Sequence, residues 1–162
     1  MRFKSKVVAI TAGLLFSGVG VGSVALATGP GGPGNTVPTP GPVTIGPLFG
    51  GNITQDGITL KAPSTAVARS FELVYTANTY SGWHSHPGIV IATVLEGTVM
   101  RQAGCVVSTF KAGDSFTEIG THMVWNPRTA RAVLQITQIY DGAATPARHD
   151  EARPNCPRLT FN

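Results

Sequence analysis

From Val67 to Tyr140 the chain is a succession of short apolar runs, none with a helical period over ten residues, and this restricts it to β-structure. Val67 to Tyr80 is rich in β-branched and aromatic residues, and Phe71, Leu73 and Tyr75 alternate onto one face. Ile89 to Leu95 is a strand-length run closed by Glu96-Gly97. Val106 to Phe110 is another, closed by Lys111-Ala112-Gly113-Asp114. Ser115 to Ile119, His122 to Trp125 and Ala132 to Tyr140 follow at close spacing. Short strands separated by Gly, Asp, Asn and Pro predict a sandwich or barrel. The tail from Asp141 reads as loop.

At 162 residues there is room for one domain, and part of the length lies outside it. Met1 to Lys6 is short and basic, Val7 to Ala27 is apolar and uncharged, and Ala25-Leu26-Ala27 is a small-x-small end. That order predicts a signal peptide over 1–27, cleaved after Ala27, and a secreted or extracytoplasmic product. The apolar stretch is just long enough to span a bilayer, but Gly13, Gly18, Gly20 and Gly22 weaken it as a permanent helix. Arg2, Lys4 and Lys6 are three of the twelve basic residues, so the remainder carries nine against eight acids. A near-neutral chain without clustered Lys or Arg excludes a nucleic-acid footprint.

Residues 28–51 are rich in Gly and Pro and hold few large apolar side chains before Leu48 and Phe49. Such a segment is expected to be a flexible linker, with the folded domain over 52–162. The two cysteines, Cys105 and Cys156, make an even count, which in an exported chain predicts one disulfide. Its contribution is at most about 4 kcal/mol in the chain-entropy picture. Thiolate ligation of a metal is the alternative, and it lacks the close spacing usual in zinc sites.

His84 and His86 are two residues apart, so on an extended strand both imidazoles point to one side, as a metal with two nitrogen ligands needs. His122 opens a later strand, with Asn126 four residues on. His149 lies in the polar tail between Arg148 and Asp150 and reads as solvated. Trp83 and Trp125 alternate away from the histidine side, toward barrel packing or a homodimer surface.

Gly82-Trp83-His84-Ser85-His86-Pro87-Gly88, the apolar run to Leu95 and Glu96-Gly97 together resemble the first motif of the cupin superfamily. Gly113-Asp114-Ser115-Phe116-Thr117-Glu118-Ile119-Gly120-Thr121-His122, with Asn126-Pro127, resembles its second. Fifteen residues separate Gly97 from Gly113, as in compact microbial cupins. The tail from Pro146 to Pro157 is similar to small secreted members. The resemblance covers roughly 52–157. It implies a six-to-eight-stranded jelly-roll barrel with a divalent transition metal in its mouth, held by His84, His86 and His122.

Three departures stand out. Asn78 occupies the place of the motif's opening glycine. The motif's glutamate ligand falls on Val90, next to Ile91, and neither can bind a metal. The second motif is two residues short and has Glu118 near the place of its usual proline. The missing carboxylate reads in three ways: a metal on three neutral histidines, Glu118 reaching in to replace it, or a decayed site. A register that turns Glu118 inward turns Phe116 inward too. Iron, manganese, copper, nickel and zinc all suit imidazole. The expected function is a secreted metal-binding barrel, either an oxygenase or isomerase for a small polar molecule or a non-catalytic module that captures a small ligand or metal. Catalytic residues beyond the metal are not identified. Tyr80 is the phenol nearest the first motif and the candidate acid.

Overall fold

The computed structural model describes residues 27–33, 36–48, 52–144 and 146–161. The expected leader, apart from Ala27, lies outside them. In chain order the strands are β1 (Thr39–Pro40), β2 (Thr44–Pro47), β3 (Ile53–Gln55), β4 (Ile58–Leu60), β5 (Ala66–Tyr75), β6 (His84–Ser85) and β7 (Ile89–Glu96). There follow β8 (Thr98–Ala103), β9 (Val106–Lys111), β10 (Ser115–Glu118), β11 (His122–Trp125), β12 (Ala132–Asp141), β13 (His149–Asp150) and β14 (Thr160–Phe161). Among the described residues there is no α-helix, and no helix is long and apolar enough to cross a membrane.

Two six-stranded sheets form the barrel. The first runs β1-β5-β12-β7-β10, with β2 also on β5; the second runs β13-β6-β11-β8-β9-β14; β3 and β4 make a separate hairpin. This is the expected all-β class, two sheets built of short strands. It has more strands than the six to eight expected, because several two- to four-residue strands trim the sheet edges.

Alternation along each strand builds the core. Val90, Ala92 and Val94 of β7, Leu134 and Ile136 of β12, and Phe116 of β10 pack with Val99 of β8 and Val124 of β11. Each side chain of this size contributes roughly 2 kcal/mol by leaving water. Phe110 of β9 stacks on Phe116 with ring centres 4.3 Å apart and ties the second sheet to the first. β8 has no counterpart in the sequence reading. Its Arg101 and Gln102 break the apolar pattern by which strands are recognised, although Val99 and Gln102 are both buried.

The stretch expected to be a linker is instead partly built into the barrel, which corrects the boundary at residue 52. β1 pairs Thr39 with Val74 and Pro40 with Leu73, and β2 pairs Thr44 through Pro47 with Ser70 through Val67. Gly31 and Tyr80 exchange backbone hydrogen bonds at 3.0 and 2.8 Å, and the Thr28 amide donates to the Glu151 carbonyl at 3.0 Å. The composition was a sound guide to burial, since β1 and β2 are largely exposed. It could not show that β5 needs backbone partners along its outer edge, where proline is tolerated. The tail is also more ordered than a loop. β13 pairs with β6, β14 runs parallel to β9, and the Cys105–Cys156 disulfide closes over a Cα separation of 5.4 Å.

Candidate metal centre

His84 on β6 and His122 on β11 are direct cross-strand partners, so their rings rise from the same level of the second sheet. His86, two residues past His84, stands on the same side. The ring centres of His84 lie 4.2 Å from His122 and 4.7 Å from His86. Gly88, at φ +76°, makes the turn that follows possible, because a Cβ there would collide with the Ile139 carbonyl of β12. Asn78, at the place of the motif's opening glycine, holds φ +57°, a left-handed conformation that asparagine tolerates and glycine favours.

The first sheet supplies the fourth group. Glu118 on β10 is the cross-strand partner of Val90 on β7, so both side chains face the barrel interior. The carboxylate absent from position 90 is therefore carried by the neighbouring strand at the same level. Phe116 turns inward with it, as the register requires. One ligand atom from each of His84, His86, Glu118 and His122 lies within 4.8 Å of the others. Glu118 Oε2 is 3.2 Å from His86 Nε2 and 3.4 Å from His122 Nε2.

Each imidazole is oriented by its other nitrogen. His84 Nδ1 lies 3.0 Å from the Gly82 carbonyl, His122 Nδ1 2.8 Å from that of Gly120, and His86 Nδ1 3.1 Å from that of Ala147. A carbonyl oxygen only accepts, so each Nδ1 carries a hydrogen and each ring turns its Nε2 inward. His86 Nε2 and His122 Nε2 are buried without a hydrogen-bond partner, and both point at a buried carboxylate. Lone pairs and a carboxylate converging in a dry site require a cation among them, either protons or a metal ion. The donor set thus fits a divalent transition metal.

Electrostatics follow from this packing. Burial, reinforced by the charges of His122 and Arg148, pushes His84 down to about 3, so its ring stays neutral. Burial alone would raise the Glu118 carboxyl, but contacts from His122 and His86 outweigh it and hold the group well below the usual carboxylate range. Tyr75 is wholly buried; desolvation, with the Glu118 charge adding to it, pushes its phenol far up and keeps it protonated.

A cavity of about 200 Å³ opens onto His84, His86 and Glu118, with walls from Phe71, Leu73, Tyr75 and Ile136 and polar groups from Ser81, Arg69 and Arg148. Pro30 and Pro38 of the docked N-terminal stretch complete it. Tyr75, not Tyr80, is the phenol of this cavity; Tyr80 is 40% exposed and lies on another face. Asn126 serves the loop after β11, donating to the carbonyls of Tyr75, Thr76 and Ala130. His149 is exposed on β13, and Trp83 is buried, its backbone amide donating to the Thr28 hydroxyl at 2.9 Å. Arg69 and Arg148 were not among the sequence candidates, because an isolated arginine carries no spacing signal.

No family model matches the sequence, and no curated protein matches it. Solved structures do. A cupin-like protein from Thermotoga maritima is 20% identical, with a TM-score of 0.44 over 52% of this chain and 65% of that one. A Cupin 2 conserved barrel domain protein from Salinispora arenicola is 23% identical, with a TM-score of 0.42 over 47% of this chain and 65% of that one. A predicted oxalate decarboxylase from Thermotoga maritima is 20% identical, with a TM-score of 0.40 over 44% of this chain and 64% of that one. The chain therefore spans just under two thirds of the length of these structures.

Proposed function

We propose that this protein is an extracytoplasmic metal-binding barrel that holds one divalent transition metal on Nε2 of His84, His86 and His122 and on the Glu118 carboxylate. The observation that carries this reading is the orientation of the three imidazoles. Each Nδ1 is tied to a backbone carbonyl, and the opposite nitrogens converge on one buried carboxylate.

The metal, when bound, supplies Lewis-acid or redox chemistry to a small molecule in the adjoining cavity. The chain's own groups bind and exclude water. Tyr75 stays protonated and can donate a hydrogen bond but cannot act as a base. Arg148 is engaged with Asp150 and the Ser81 carbonyl. Glu118 is committed to the histidines. Turnover would depend on the metal, and the alternative is a binding-only module that captures a small ligand or a metal without turnover. Export rests on the leader's basic head and small-x-small end, and the disulfide supports an oxidising compartment.

Elemental analysis of the purified protein beside His86→Ala tests the metal. One equivalent of iron, manganese, copper, nickel or zinc that the variant loses supports the site. Absence of metal from both, with added metal also failing to bind, rejects it. Intact mass of the exported protein tests the leader, which should end at Ala27.

A further inference from the structure

One row of residues crosses the inner face of the first sheet at a single level. Arg69 of β5 pairs with Gln138 of β12, Gln138 pairs with Val90 of β7, and Val90 pairs with Glu118 of β10. Three strand spacings separate its ends, roughly 14 Å between backbones. The cavity runs over this row, since Arg69 and Glu118 both line it while Val90 and Gln138 are wholly buried. At one end stand the histidines and Glu118. At the other stands a lone cation.

That cation has no counter-charge. Among the described residues Arg69 makes no ion pair, and its buried Nε has no acceptor. Its guanidinium is held over the Phe71 ring at 5.1 Å and near the Tyr140 ring at 5.9 Å. These ring contacts hold the guanidinium fork in the wall of the cavity, which Arg69 lines. Such a fork matches a carboxylate in two parallel hydrogen bonds. The walls between the two poles are apolar: Phe71, Leu73 and Ile136, with Pro30 and Pro38 at the rim. A cavity of roughly 150 Å³ with walls of this kind holds a benzene ring. The space here is about 200 Å³.

We propose that this cavity takes a small carboxylic acid bearing an apolar group, with Arg69 as the seat of its carboxylate. The inference rests on the metal-centre reading in one respect, that the ligand's far end is presented to His84 and His86. The carboxylate seat itself is independent of the metal.

Phenylacetate, its uncharged isostere phenylacetamide, and acetate are titrated by calorimetry into the protein, once stripped by chelator and once loaded with zinc. Phenylacetate is expected to bind at least tenfold more tightly than either comparator in both preparations. Arg69→Met and Arg69→Gln are expected to raise its Kd at least tenfold, leaving that of phenylacetamide and the zinc content unchanged. Equal binding of acid and amide, or full phenylacetate affinity in both variants, overturns the proposal. A variant that loses thermal stability but keeps phenylacetate affinity would place Arg69 in packing against Gln138, which also overturns it. Failure of zinc to bind rejects the metal centre, while the stripped protein still decides the role of Arg69.

Discussion

Glu118 and the three histidines divide the work of the site. In the proposed metal site the histidines would bring uncharged nitrogen donors, and the carboxylate the charge that a divalent ion needs in a dry cavity. His84→Ala and His122→Ala are expected to abolish metal binding while leaving a folded, disulfide-linked barrel, read by elemental analysis beside circular dichroism. Glu118→Gln keeps the shape and removes the charge, so metal affinity should fall by about 10-fold or more. An unchanged affinity would leave the histidines as the whole ligand set. The histidines were legible because two lie at strand spacing and the third opens a short strand. Glu118 could be weighed but not placed, because its direction depends on a register between strands more than twenty residues apart in the chain.

At the scale of the element, that register makes its own prediction. Val90 and Glu118 are direct partners on adjacent strands, so the carboxylate should be able to change strands. Glu118→Val alone should lose the metal, and Val90→Glu combined with Glu118→Val should recover a measurable part of the affinity. No recovery would mean that the two positions are not equivalent toward the histidines. β1 and β2 carry a second prediction. Deleting residues 28–48 uncovers the edge of β5 and removes Pro30 and Pro38 from the cavity. The truncated protein is expected to melt lower and to associate, seen by light scattering; a monomer of unchanged midpoint would show that this segment contributes little. The main inner strands were legible from alternation and β-branching. β1, β2, β13 and β14 were not, because edge pairing uses backbone groups and leaves hardly any trace in side-chain type.

For the whole molecule, acidity acts through His84. Its folded-state value of about 3 lies below the ordinary 6.5, so the unfolded chain takes up the proton first. The metal-free protein should therefore lose stability as pH falls from about 6.5 toward 3, and His84→Asn should flatten that slope in thermal melts. Metal loss should accompany the same descent in the loaded protein, since protons compete for imidazole. The disulfide fastens the C-terminal tail to the turn between β8 and β9. Replacing Cys105 and Cys156 by serine should cost roughly 2–4 kcal/mol, read from denaturant unfolding, with metal content unchanged.

Two of the three imidazoles take their orientation from the carbonyl of the glycine two residues upstream, Gly82 for His84 and Gly120 for His122, and both glycines sit at positive φ. The aim of each ring is thus a property of a tripeptide, Gly-x-His, and does not wait for the sheets to close. A ligand built this way is portable. The same three residues grafted onto the end of another strand would carry a preset nitrogen with them, and a chain could keep its donors aimed while its remaining ligand migrated from one strand to the next.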